Sequence, residues 1–199
     1  MTASISDFFE GYISDLRLFS DAEDLTITSL AVPRIIKKKQ YLLRQGELCR
    51  FYTLVCSGFL RTYRIDDKGN EHIFSFSPAG CWTGDPVSLV SGNPSQEFID
   101  AIEDSTVVQM TSDSFKALLR DIPNFSQLNT MIITDEYRRS RERIHEMISN
   151  QADEKYRNFI RLFPQLHQRI PIFMVASYLG IARETLTRIR SKMGDLQSL

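Results

Sequence analysis

Cysteine is scarce in this sequence and scattered where it occurs. The 199 residues hold three, Cys49, Cys56 and Cys81. They are too few and too far apart for a disulfide framework or for the four thiolates of an iron–sulfur cluster. Histidine is as sparse, with His72, His145 and His167 the whole set. A metal-dependent enzyme would gather two or three histidines on one cavity, and only His72 falls in the strand-rich part of the chain. No run approaches the ~20 apolar residues of a membrane span. The opening MTASISDFFEGYISDL lacks the basic start and apolar stretch of a secretory signal. A phosphate loop, a nucleophile elbow, HExxH and G-x-G-x-x-G are all missing. The expectation is a cytoplasmic protein that is not an enzyme, with no metal site and no membrane partner.

Positive charge is also absent from one long stretch, because no Arg or Lys lies between Lys68 and Lys116. Otherwise the composition is that of an ordinary globular chain, 42% hydrophobic and 25% charged. Its net charge of -1 hides an asymmetry. Residues 1–135 carry 12 Lys and Arg against 18 Asp and Glu, whereas residues 136–199 carry 12 against 7. A basic C-terminal third on an acidic body suits a polyanionic partner.

Texture divides the chain. Phe8, Tyr12 and Leu16 recur at helical spacing, and Ser20 or Asp21 can cap a second short helix. From Arg34, runs such as RIIKKKQYLL, FYTLVCSGFLRTYRI and HIFSFS are rich in β-branched and aromatic residues, and Gly-, Pro- and Asp-containing turns separate them. With FIDAIED and STVVQM they predict an antiparallel roll or barrel. A helix over DSFKALLRDI ends at Pro123. Helical spacing then returns: Ile133, Tyr137, Ser140, Ile144 and Met147 follow one another at the steps of a coiled-coil seam. Arg138, Arg139, Arg141, Glu142, Arg143 and Glu146 fall on its outer faces. Either the roll or a twin helix from a second subunit must cover such a seam. EKYRNFIRLF forms the next helix, stopped by Pro164, and its Phe159, Leu162 and Phe163, with Leu166, are expected to support the C-terminal domain.

The C-terminal PIFMVASYLGIARETLTRIRSKM reads as a helix, a turn and a second helix. Pro171 fits the first helical position, where its missing N–H is not needed. Val175, Ala176 and Leu179 share a face, Gly180 permits the positive-φ turn that ends the helix, and Ile181 points back into the core. With Leu186 and Ile189 buried, Arg183, Glu184, Thr187, Arg188 and Ser191 lie on or near the opposite face of the second helix. In a DNA major groove, Arg binds guanine bidentately, Glu accepts from cytosine N4, and Thr meets a thymine methyl or a phosphate. Arg190 and Lys192 serve as phosphate contacts or remain surface charges. The competing expectation is an amphipathic helix with a solvated, salt-bridged face.

This order of elements, ending in ARETLTRIR, resembles the Crp/Fnr bacterial transcription regulators over nearly the whole chain. Gly46-Glu47 and Gly58 match turns of the family's roll, and Arg183-Glu184-Thr185 with Arg188 match its DNA-contacting pattern. The resemblance implies an α+β fold: a cyclic-nucleotide-binding-like antiparallel β-roll with flanking helices (1–123), a long dimerisation helix (124–150) and a small all-α helix-turn-helix domain (151–199). It further implies a homodimer paired around Ile133, Tyr137, Ile144 and Met147, double-stranded DNA as partner, and RNA polymerase as a further one. Arg183, Glu184 and Arg188 would read base edges, and Thr185 would hold the backbone. Only Gly194–Leu199 follows the second helix, so the family's wing is expected to be lacking. Ala182 also replaces the usual Ser or Thr cap, a change costing ~1 kcal/mol. The alternative function is a ligand-binding or interaction module that no longer binds DNA.

Ligand-binding members place a Gly-Glu at the start of a short helix and an Arg before the next strand, to hold ribose and cyclic phosphate. Here the matching segments read Gly84-Asp85-Pro86-Val87 and Pro94-Ser95-Gln96-Glu97. A phosphate without its cation forgoes a charge-assisted bond of roughly 1.5–3 kcal/mol. The resemblance therefore implies an effector pocket near Trp82, Gly84, Asp85, Pro86, Ser95 and Gln96 that takes a less anionic effector, or none, in place of cyclic AMP.

Overall fold

Two helices lead into the strands, α1 (Ile5–Asp15) and α2 (Asp21–Ser29). Phe9 and Ile13, four apart in α1, turn to the same side and are buried. At the start of α2 the Glu23 carboxylate accepts the Ser20 N–H at 2.8 Å, closing a capping box. The strands follow as β1 (Val32–Ile36), β2 (Tyr41–Leu43), β3 (Phe51–Ser57), β4 (Phe59–Ile65), β5 (Glu71–Pro78) and β6 (Trp82–Thr83). The short helix α3 (Pro86–Ser91) precedes β7 (Phe98–Ala101) and β8 (Ser105–Thr111). Five helices complete the chain: α4 (Ser112–Asp121), α5 (Phe125–Ser149), α6 (Ala152–Leu162), α7 (Ile172–Leu179) and α8 (Arg183–Leu196). This computed structural model describes residues 5–164 and 169–196, so Leu166 and His167 lie outside the described residues.

The strands form two four-stranded sheets, ordered β1-β8-β3-β6 and β2-β7-β4-β5. The registers of β1 with β8, β3 with β8 and β4 with β7 are antiparallel, as expected of a roll. Alternation along β3 and β8 explains their near-continuous apolar sequences. Leu54 and Val108 face a cluster with Phe9, Ile13, Phe115, Leu118 and Phe125 of the helices. Their neighbours Val55 and Val107 face the second sheet, against Leu43, Leu60 and Ile99. A sheet covered on both sides has no polar face to alternate with. The lysines of RIIKKKQYLL break that run in two, with the Gln40 N–H closing a turn on the Lys37 carbonyl at 2.8 Å.

Gly58 joins β3 to β4 at φ +82°, and a Cβ there would sit 2.6 Å from Ser105 Cα and 2.7 Å from the Asp104 carbonyl oxygen. Both obstacles are backbone and cannot swing aside.

Two compact units emerge. One holds residues up to Arg64 together with Ser75–Thr134; the other holds Ile65–Phe74 with residues from Asp135 onward. In the second unit Tyr156, Phe159, Ile170, Val175, Ala176, Leu179, Leu186 and Ile189 are buried. Phe159 packs at a tilt against Phe163 and Tyr178, with ring centroids 5.2 and 5.7 Å away. Leu162 departs from expectation: it falls to one side of the Tyr156–Phe159–Phe163 stripe and is 56% exposed.

Arg143, expected on an outer face of the long helix, also turns inward. Its guanidinium donates to the carbonyls of Phe74, Ile73 (2.8 Å) and Tyr178 (3.1 Å) and lies over the Tyr178 ring. Burial pulls its pKa below the ordinary arginine value. Beside it the Ser177 hydroxyl donates to the Glu71 carbonyl at 2.7 Å and accepts the Ile73 N–H at 3.1 Å. The hairpin between β4 and β5, α5 and α7 are thus pinned together by backbone carbonyls that no local pattern reveals.

Two outcomes follow from these contacts. Gly58→Ala should cost more than the ~1–2 kcal/mol of left-handed strain alone, read as a lower urea midpoint at unchanged slope. A loss within that strain would contradict the close approach to Asp104 and Ser105. Arg143→Met keeps the apolar stem but loses the donors, and should cost about 1–3 kcal/mol with faster amide exchange in residues 71–75 and in α7. Unchanged exchange there would contradict the pinning role.

Candidate nucleic-acid interface

The geometry of α7 and α8 grows out of the turn between them. The Pro171 carbonyl accepts the Met174 N–H at 2.9 Å, so this proline stands just before α7, one place earlier than its sequence position suggests. Val175, Ala176 and Leu179 are buried as expected. Gly180 takes φ +64° and ψ 35°, and the Ile181 N–H reaches back to the Ala176 carbonyl at 3.1 Å, the six-to-one bond of a Schellman motif. The chain is thereby released into α8. Ala182 offers no side-chain acceptor there, leaving the first-turn N–H groups of α8 to acceptors from outside.

On α8, Leu186 and Ile189 are buried against the packing of α6 and α7. Arg183, Glu184, Thr187, Arg188, Ser191 and Lys192 are exposed, while Thr185 and Arg190 are half-buried. Arg190 acts on Tyr156: burial raises the phenol's pKa, and the Arg190 charge draws it back. The Thr187 hydroxyl donates to the Arg183 carbonyl at 2.9 Å, and Ser191 donates to Thr187 at 3.2 Å. Both hydroxyls therefore rest on their own helix and leave the face between the charged side chains open.

The two basic helices use their arginines differently. On α5, Arg138 bridges Asp135 and Glu142 at 2.6 and 2.9 Å, and Arg139 meets Asp135 at 2.6 Å. On α8, Glu184 and Arg188 are four apart, the spacing that favours such a pair. Yet among the described residues no ion pair forms at Arg183, Glu184, Arg188, Arg190 or Lys192. A salt-bridged solvent face, the competing expectation, is what α5 displays and α8 does not.

Along α5 only Phe125 and Leu128 are buried. The seam residues Ile133, Tyr137, Ile144 and Met147 are 59%, 64%, 53% and 45% exposed, with Ser140 also outward.

The six residues expected to frame an effector pocket do not converge. Trp82 packs toward the helices, donating its Nε1–H to the Tyr12 hydroxyl at 3.0 Å. Asp85 is buried as the cap of α3, its Oδ1 accepting the Val87 and Ser88 N–H groups at 2.9 and 3.1 Å, with Pro86 next in the first turn. Ser95 is buried, its backbone paired with Gly46 and Glu47, and Gln96 beside it is exposed. Of the six, only Gly84 borders a cavity of about 410 Å³ between the sheets. The nearby Glu97 carboxylate faces Arg64 at 3.0 Å. With the Asp85 carboxylate engaged in capping and no Arg or Lys between Lys68 and Lys116, these residues do not fit a cyclic phosphate.

Among the described residues, no group of three or more His, Cys, Asp or Glu side chains could hold a metal ion, and no helix is long and apolar enough to cross a membrane.

Residues 33–121 match the family described as the cyclic nucleotide-binding domain. The chain is 27% identical over 175 residues to the anaerobic regulatory protein of Pasteurella multocida, covering 82% of this chain and 62% of the relative. It is 25% identical over 165 residues to the fumarate and nitrate reduction regulatory protein of Vibrio cholerae, covering 77% and 65%. It thus spans less than two thirds of the length of either relative. The fold is that of FixK2 from Bradyrhizobium japonicum (TM-score 0.73, 18% identity, 84% of this chain and 86% of that one). It is also that of a Eubacterium rectale protein assigned to the Crp/Fnr transcriptional regulators (TM-score 0.71, 18% identity, 90% and 85%). In its roll, its matched domain and these relatives together, the chain is similar to the Crp/Fnr regulators.

Proposed function

We propose that the chain is a homodimeric regulator of transcription that reads double-stranded DNA with α8. The observation that carries this reading is the exposed face of α8, whose arginines and glutamate are without ion pairs among the described residues. Arg183, Glu184, Thr187 and Arg188 would meet base edges, with Thr185, Arg190 and Lys192 at the flanking phosphates. In this reading residues 1–123 form the sensor roll, 124–150 pair the subunits through Ile133, Tyr137, Ile144 and Met147, and 151–199 hold the DNA. Pairing would set two recognition helices about one DNA turn apart on a roughly palindromic site. An effector in the roll would bias the orientation of the pair without touching DNA. The residues beside α3 argue that this effector is not cyclic AMP.

The test is selection of DNA from a random library by the purified, ligand-free protein, with Arg188→Ala and Lys192→Ala in parallel. The expected result is a two-fold-symmetric motif. Arg188→Ala should relax one base position by about 1–3 kcal/mol. Lys192→Ala should weaken all sequences alike and lower the salt slope by ~1. No enriched motif, or an unchanged motif in Arg188→Ala, would contradict the assignment.

A further inference from the structure

We infer that the cavity between the two sheets of the roll is a binding site for a small amphipathic carboxylate, with Arg34 and Arg50 holding the acid group. Facing sheets normally close on one another with few voids larger than a water molecule. Here about 410 Å³ stays open between them, within the ~300–1,000 Å³ range of small-molecule sites. Its floor is apolar, built from Leu43 and Ile99 of the second sheet, both buried, with Leu42 beside them. Its mouth is basic: Arg34 from β1 and Arg50 from the loop before β3 border the space and are exposed.

One of these cations is positioned by a buried relay. Thr53 and Gln109 stand opposite one another in register and are 1% and 3% exposed. The Gln109 amide donates to the Thr53 hydroxyl at 3.2 Å, and its Oε1 accepts from the Arg34 Nη1 at 2.8 Å. A polar pair inside a sheet interior thus serves to fix a guanidinium at the cavity's edge. Among the described residues, neither Arg34 nor Arg50 has a carboxylate partner.

The charge of the site selects the ligand. Against two guanidiniums stands one carboxylate, Glu47, which accepts the Arg44 N–H at 2.9 Å. Burial raises the Cys49 thiol's pKa, so this lining residue adds no negative charge at neutral pH. The balance of one positive charge matches a monoanion, and planar guanidinium groups suit a carboxylate bidentately. The apolar floor asks for a hydrocarbon chain or ring on the same molecule. Of the positions that resemblance assigns to a nucleotide, only Gly84 borders this space, so the site is a different one. Arg34 and Arg50 also lie outside the cation-free stretch between Lys68 and Lys116.

The test is calorimetric titration of the full chain with octanoate, beside octanol, octylamine and inorganic phosphate, and with Arg34→Met and Arg50→Met. Both arginines are exposed, but Arg34→Met leaves the buried Gln109 Oε1 without its donor. Each variant's urea midpoint is therefore read beside the titration, and Arg50→Met, which breaks no such bond, keeps the test decisive. Methyl NMR locates the ligand. One octanoate per chain is expected, with shifts at Leu42, Leu43 and Ile99. Each variant should weaken binding about 10-fold or more, octanol should bind as weakly as octanoate binds the variants, and octylamine and phosphate should not compete. Absence of binding, parental affinity retained in either variant, competition by phosphate, or shifts confined to other methyls would overturn the assignment. Binding is read without DNA, so this result is separate from that of the proposed function.

Discussion

A 25-residue helix that buries only its first turn leaves its remaining apolar stripe to water. In α5 that stripe is Ile133, Tyr137, Ile144 and Met147, with Ile148 80% exposed beyond them. Contiguous apolar surface of this kind marks an interaction face, and its near-heptad spacing fits a second helix of the same shape. If the stripe is covered by its twin, two copies of α8 acquire a fixed separation, and a single polar helix face becomes half of a symmetric reading head.

The DNA-facing role assigned to α8 rests on how charge is distributed within the chain. Helical spacing alone would let Glu184 and Arg188 neutralise one another, as Arg138 does with Asp135 and Glu142 on α5. They do not, and the turn at Gly180 together with the uncapped start at Ala182 leaves the N-terminus of α8 open as well. Desolvation costs nothing in lost internal pairs when such a face meets phosphate and base edges. The same logic gives the roll a distinct character: its own acids neutralise Arg61 and Arg64, through Asp100 at 2.8 Å and Glu97 at 3.0 Å, whereas Arg34 and Arg50 remain turned to a cavity.

Much of this was legible in the sequence because the deciding interactions are local. Gly180, the apolar spacing of Val175, Ala176 and Leu179, and the Leu186–Ile189 pair specify the helix-turn-helix within a dozen residues. The strands announce themselves by β-branched and aromatic runs between turn residues. What escaped were choices made by distant backbone. Arg143 looks like its exposed neighbours until the carbonyls of Ile73 and Phe74, some seventy residues away, draw it inward. Asp85 looks like a ribose ligand until the N–H groups of α3 engage it. The cavity's cations carry no such signal, because the family pattern falls on residues after Lys68, whereas Arg34 and Arg50 come from β1 and the loop before β3.

The most direct measurement of the central claim is a hydroxyl-radical footprint of the full chain on its selected DNA, with the protein's mass in solution determined alongside. The account predicts a dimer in solution and two protected patches on one face of the duplex, about one helical turn apart, both lost when Ile144→Asp splits the seam. A monomer that protects a single patch, or a footprint indifferent to Ile144→Asp, would contradict the claim that α5 pairs the reading helices.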